Sequence, residues 1–193
     1  AQGTAAERYA ALELFSTAKL GAATQKELLR PLLLCIAGDT SERCRERACD
    51  VFSAWLRSTD ASEAAGVLPF AVPALAERLG TATEAEPAEE VRVRLVSIAE
   101  RLVSLCQPLL RPYLPEVGSI ILGAARDRHA EVLKGVCAVA ATLAHNVLPA
   151  LVASEGGKAV QPYSSKLVEA LVGHLRHRHA PVREAVLDAL EPL

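Results

Sequence analysis

The residues of this sequence that could do chemistry are its histidines, its cysteines and a regularly spaced set of acids and arginines. His174, His177 and His179 fall within one short stretch, and imidazoles so close together can ligate a transition metal. No cysteine stands nearby and no carboxylate sits at a matching ligand spacing. Cations at a helix C-terminus are in any case favoured by its dipole, so the expectation is a polar turn and no metal. Cys44 and Cys49 are five residues apart and diverge on a helix, which argues against a paired metal or redox site. His129-Ala130-Glu131 is the nearest approach to a His-Glu metal step and reads as a polar turn entering a helix. Ser, Cys and His are not grouped into a nucleophile motif. The expectation is therefore no enzyme: no catalytic residue, no cofactor and no metal. The acids and arginines are more regular. Asp39, Glu86, Asp127 and His177 are each followed six residues later by Arg45, Arg92, Leu133 and Arg183. A turn acid can cap the amides of the helix that follows and accept charge-assisted bonds from a fixed guanidinium.

A helical register positions these residues. Val182, Val186, Ala189 and Leu193 stand at offsets 0, 4, 7 and 11, one face of an α-helix. The register recurs at Cys44, Ala48, Val51, Trp55; at Val91, Leu95, Ile98, Leu102; and at Val132, Val136, Val139, Leu143. Its anchors lie 47, 41 and 50 residues apart, a period that belongs to helical-hairpin solenoids. The spacing predicts a half repeat over 1–21 and repeats over 25–58, 67–106 (with an acidic insertion), 109–146 and 162–193 (truncated). Within them helices are expected over 5–19, stopped by Gly21, and over 25–37, with Ser41 capping the next. Residues 81–90, holding Glu84, Glu86, Glu89 and Glu90, read as a solvated acidic loop. Leu28-Leu29-Arg30-Pro31 and Leu109-Leu110-Arg111-Pro112 read as openings of first helices. Residues 153–161, with Gly156-Gly157, read as a flexible insertion after which Pro162 starts the last pair.

Composition sets the outer limits. Of 193 residues 51% are hydrophobic but only 4% aromatic, so Ala, Leu and Val must fill the core. A net charge of -2 disfavours a phosphate backbone as main partner. Arg43, Arg45, Arg47, Arg92, Arg94, Arg176, Arg178 and Arg183 could still line a basic stripe, but Glu42, Glu46, Glu90 and Glu184 would neutralise much of it, and aromatic stacking platforms are too few. Five cysteines in helical patterns read as small buried hydrophobes in a reducing compartment. No uninterrupted apolar run reaches membrane-span length and no signal pattern opens the chain, so a cytoplasmic chain that contacts no membrane is expected. The sequence holds no Met and its last helix lacks a cap, as expected of a piece of a longer array.

The turn acid followed by Val-Arg ahead of an apolar helical face resembles the HEAT-repeat signature. The resemblance implies an all-α, right-handed α-solenoid of HEAT-type hairpins, with Asp39, Arg45, Glu86, Arg92, Asp127 and Arg183 forming a structural ladder between repeats. Leu133 and His177 leave that ladder incomplete. The segments Glu89-Glu90-Val91-Arg92-Val93-Arg94-Leu95-Val96, Leu105-Cys106, Tyr163-Ser164-Ser165-Lys166-Leu167 and His177-Arg178-His179-Ala180-Pro181-Val182-Arg183 further resemble the N-terminal HEAT array of the axonemal dynein assembly factors. That resemblance spans roughly residues 25–193. It implies a cytoplasmic protein-interaction scaffold for preassembly of dynein arms in ciliated or flagellated cells, with dynein subunits, chaperones and other assembly factors as partners. The alternative is a general HEAT adaptor of the phosphatase, transport or complex-assembly type, and behind it a nucleic-acid-binding array. Exposed positions such as Glu46 and Arg94 are the candidate partner surface.

Overall fold

The computed structural model describes residues 3–18, 22–81 and 85–193; Gly21 and Glu84 lie outside them. Eleven α-helices are present among the described residues. Helices α1 (Ala5–Thr17), α3 (Glu42–Ser58), α6 (Glu89–Cys106), α8 (Ala130–Asn146) and α11 (Ala180–Leu190) pack one on the next in a first row. Helices α2 (Ala22–Gly38), α5 (Leu68–Leu79), α7 (Leu114–Ala124) and α10 (Gly157–Val172) form a second row. Each second-row helix also packs on the first-row helix that follows it. Two short helices, α4 (Ala61–Ala65) and α9 (Leu148–Glu155), fill in against α6 and against α8 and α10. The chain is an all-α solenoid of stacked hairpins.

Its core runs between the rows, and the four-position register lines it. Val91, Leu95, Ile98 and Leu102 are buried, as are Cys44, Ala48 and Val51, Val132, Val136, Val139 and Leu143, and Val182, Val186 and Ala189. Trp55 and Leu193 are only partly covered. Small residues bring helices close: a Cβ on Gly123 would collide with the Leu79 carbonyl and with Gly80, so α7 rests on the end of α5 where only glycine fits. Residues 130–155 are long and apolar enough to cross a membrane. Half of its most apolar 18-residue window is buried inside the fold, where Val132, Val136, Val139 and Leu143 fill the core.

Several local expectations are corrected. Residues 153–161 are not a loop: α9 runs to Glu155, Gly156 alone breaks the helix at a φ of 83°, and α10 starts at Gly157. A single residue in the left-handed region is enough to redirect the chain. Pro162 accordingly lies inside α10 instead of starting the last pair. Leu28-Leu29-Arg30-Pro31 sits within α2, and its later echo lies in a 3₁₀ segment, Gln107–Tyr113, that precedes α7. Ser41 occupies the N-cap of α3 without a side-chain bond, because Asp39 satisfies that turn. Thr4 and Glu7 close a reciprocal capping box at the start of α1.

Candidate functional site

The arginine in question is the fourth residue of α1, α3, α6 and α11, where it projects beside the preceding turn. Within its own turn, Arg45 Nη1 donates to the Asp39 carbonyl at 2.8 Å and Arg92 Nη1 to the Glu86 carbonyl at 3.0 Å. The remaining guanidinium donors reach forward to the carboxylate of the next turn. Arg45 Nε and Nη2 donate to Glu86 at 2.7 and 2.6 Å. Arg92 Nε and Nη2 donate to Asp127 at 2.5 and 3.4 Å. Each carboxylate also accepts an amide two residues on: Ser41 N–H to Asp39 at 2.8 Å, Ala88 N–H to Glu86 at 3.1 Å, His129 N–H to Asp127 at 2.8 Å. One planar fork thus ties two successive turns, a task for which arginine is suited and lysine is not.

Sequence reasoning missed two members. Arg8 donates to both Asp39 oxygens at 2.6 and 2.8 Å and extends the ladder to α1. Its signal was the shared place as fourth helical residue. Arg78, near the end of α5, donates a second ion pair to Glu86, and nothing in its local sequence marks it. Glu86 is correspondingly not a solvated loop residue: it is 1% exposed, with the loop folded back so that its N–H donates to the Arg78 carbonyl at 2.9 Å.

These contacts set the protonation of the acids. Burial works to raise the Glu86 carboxyl, but hydrogen bonds from Arg45, Arg78 and the Ala88 amide outweigh it and hold the group below the ordinary carboxylate value. Hydrogen bonding from Arg8 holds Asp39 down, against its burial and with help from the Ser41 amide. A carboxyl depressed in the folded state stabilises the fold above its unfolded pKa and loses that contribution as pH falls through the folded value. The urea midpoint should therefore hold from pH 7 to about 6 and decline below about pH 5. A midpoint that stays level down to pH 3 would show that the carboxylates contribute nothing.

The ladder lapses between α8 and α11. The fourth residue of α8 is Leu133, buried in the core, and the turn position holds His177. His177 keeps the local part of the acid's role, its Nδ1 accepting the His179 amide at 3.2 Å while its carbonyl accepts from Arg183 Nη1 at 2.7 Å. Arg183 makes no ion pair among the described residues. Partial burial and the nearby His179, His174 and Arg178 keep the His177 imidazole below its ordinary value. His174 turns away from this pair and its Nε2 donates to the Ala125 carbonyl at 2.7 Å.

Glu46 and Arg94 are brought together: Arg94 Nη2 lies 2.8 Å from Glu46 and its Nε 2.9 Å from Asp50, across α6 and α3. Arg47 bonds Glu13 of α1 in the same way. These pairs are half-buried at the surface, where such pairs are typically worth about 1 kcal/mol or less each. Arg43 stacks 4.5 Å from the Tyr9 ring, so five of the eight arginines of the possible basic stripe are held by an ion pair or an aromatic ring. Burial pushes the thiols of Cys106 and Cys137 up to about 11, far from thiolate chemistry at neutral pH. Among the described residues no group of three or more His, Cys, Asp or Glu side chains is placed to hold a metal ion.

Comparison with known proteins agrees with this architecture. A family model described as dynein axonemal assembly factor 5-like, TPR repeats, matches residues 8–193. Dynein axonemal assembly factor 5 of Xenopus laevis is 32% identical over 162 residues, and that of Homo sapiens 32% identical over 166. Each alignment covers 84% of this chain and 18% of the relative, so the chain spans under a fifth of the length of these relatives. A designed armadillo repeat protein solved in complex with the peptide (KR)4 superposes with a TM-score of 0.57 at 19% identity, covering 95% of this chain and 91% of that one. Armadillo, TPR and HEAT arrays are all stacks of helix pairs.

Proposed function

The chain belongs to the dynein axonemal assembly factor 5-like family, and from that premise we propose that it is a non-catalytic, cytoplasmic scaffold on which axonemal dynein arm subunits meet chaperones and other assembly factors. The observation that carries this reading is coincidence: the family match over residues 8–193 falls on the two-row array of helices α1 to α11. A solenoid whose first turns are joined by guanidinium forks and whose repeats share one core holds its exposed faces in fixed register, which a platform for large partners requires. A scaffold of this kind calls for no cofactor and no nucleophile. The test is affinity purification of the full-length protein from cells that are building cilia. Axonemal dynein chains should co-purify in stoichiometric amounts. Phosphatase subunits, transport cargo or nucleic acid in their place would overturn the dynein reading in favour of a general adaptor.

A further inference from the structure

Arg126, Arg128, Arg176 and Arg178 are all exposed and, among the described residues, none of them has an ion-pair partner. They stand on two successive turns, the one after α7 and the one before α11, which the His174–Ala125 bond ties together. The acids near them are largely taken. Among the described residues Asp127 is held by Arg92 and Glu131 by Lys134, which leaves Glu184, in the first half of α11. Arg183, next to Glu184, has its Nη1 on the carbonyls of His177 and Arg178. A chain of net charge -2 therefore gathers, at the place where the ladder lapses, a cationic edge without an ion pair among the described residues. The earlier turns have no such excess, because Arg8, Arg45 and Arg92 are spent on Asp39, Glu86 and Asp127. Beside this edge, Arg78, Arg92, Arg126 and Arg128 border a groove of about 430 Å³ whose two carboxylates, Glu86 and Asp127, are already bonded.

We propose that this edge, formed by Arg126, Arg128, Arg176 and Arg178, is a docking surface for an extended, carboxylate-rich segment of a protein partner. The proposal rests on the scaffold reading above and names the chemistry of one partner contact. Exposed guanidinium forks match carboxylates geometrically as well as by charge. Neither turn carries a phenylalanine, tyrosine or tryptophan, and the His177 and His179 rings lie against each other with centroids 5.4 Å apart, a small platform for single-stranded nucleic acid, which depends on successive stacked bases.

The test uses the whole chain and a short fluorescein-labelled polyglutamate peptide, followed by anisotropy at low and at physiological salt. The peptide should bind, and binding should weaken as salt is raised. The double reversal Arg128→Glu with Arg178→Glu should weaken it about tenfold or more. The same net charge change placed elsewhere, Arg57→Glu with Lys166→Glu, should leave the affinity near that of the native chain. Both of those residues are exposed and away from the edge. Absence of binding, or an equal loss in both double variants, would overturn the proposal, since the second result would mean that only bulk charge is felt. A single-stranded oligonucleotide that binds more tightly than polyglutamate would overturn it in favour of nucleic acid. None of these outcomes bears on dynein co-purification, so the two readings fail separately.

Discussion

Replacing Glu86 with glutamine should lower the stability of the fold by about 3–5 kcal/mol, the range for removing one partner of a buried ion pair. The size follows from what is left behind. The Glu86 side chain is fully enclosed, and it neutralises Arg45, whose side chain is 7% exposed, and Arg78, at 15%. Glutamine keeps the volume but presents an amide with one oxygen, so two enclosed guanidiniums lose their counter-charge and an N–H₂ group faces them. Urea unfolding should show a lower midpoint at an unchanged slope. A shift under about 1 kcal/mol would place Glu86 with ordinary surface pairs.

The second large effect is expected at Leu95. Its side chain is completely buried in the middle of α6, the helix that packs on α3, α5 and α8. Leu95→Ala should cost about 2–5 kcal/mol, as large-to-small changes in a core do when neighbours relax only in part. In a solenoid each repeat is supported only by its neighbours, so a cavity in α6 weakens the joints on both sides. An unfolding midpoint equal to that of the native chain would mean that the 0, 4, 7, 11 register does not face the core.

That register shows what was legible. Apolar periodicity reports burial directly, so the helices of the first row and the period of the array could be read from Cys44, Val91, Val132 and Val182 onward. The exceptions have physical causes. In α1 only Leu12 is buried among the described residues, so its apolar pattern is weak and Arg8 did not stand out. The acidic composition around Glu86 suggested solvent, whereas two arginines distant in sequence or on another helix enclose it; such tertiary pairing leaves no local trace. Gly156-Gly157 suggested a flexible segment, yet one glycine makes the break and the other opens a helix. Polar positions such as Glu46 and Arg94 read as exposed partner surface, and polarity does not reveal that they bond each other. The cationic edge on the last two turns was visible as arginines but not as unpaired ones.

Guanidinium forks reaching from one turn to the next join α1, α3, α6 and the turn before α8. A double-mutant cycle between Arg45 and Glu86 measures one such joint, using Arg45→Met, Glu86→Gln and the two combined, with stability read by urea unfolding. The two side chains meet through paired bonds of 2.7 and 2.6 Å across neighbouring repeats. The combined variant should therefore be more stable than the sum of the single losses implies, by more than about 1 kcal/mol. Losses that add to within about 0.5 kcal/mol would contradict the ladder as the joint between repeats and leave apolar packing alone to hold the array together.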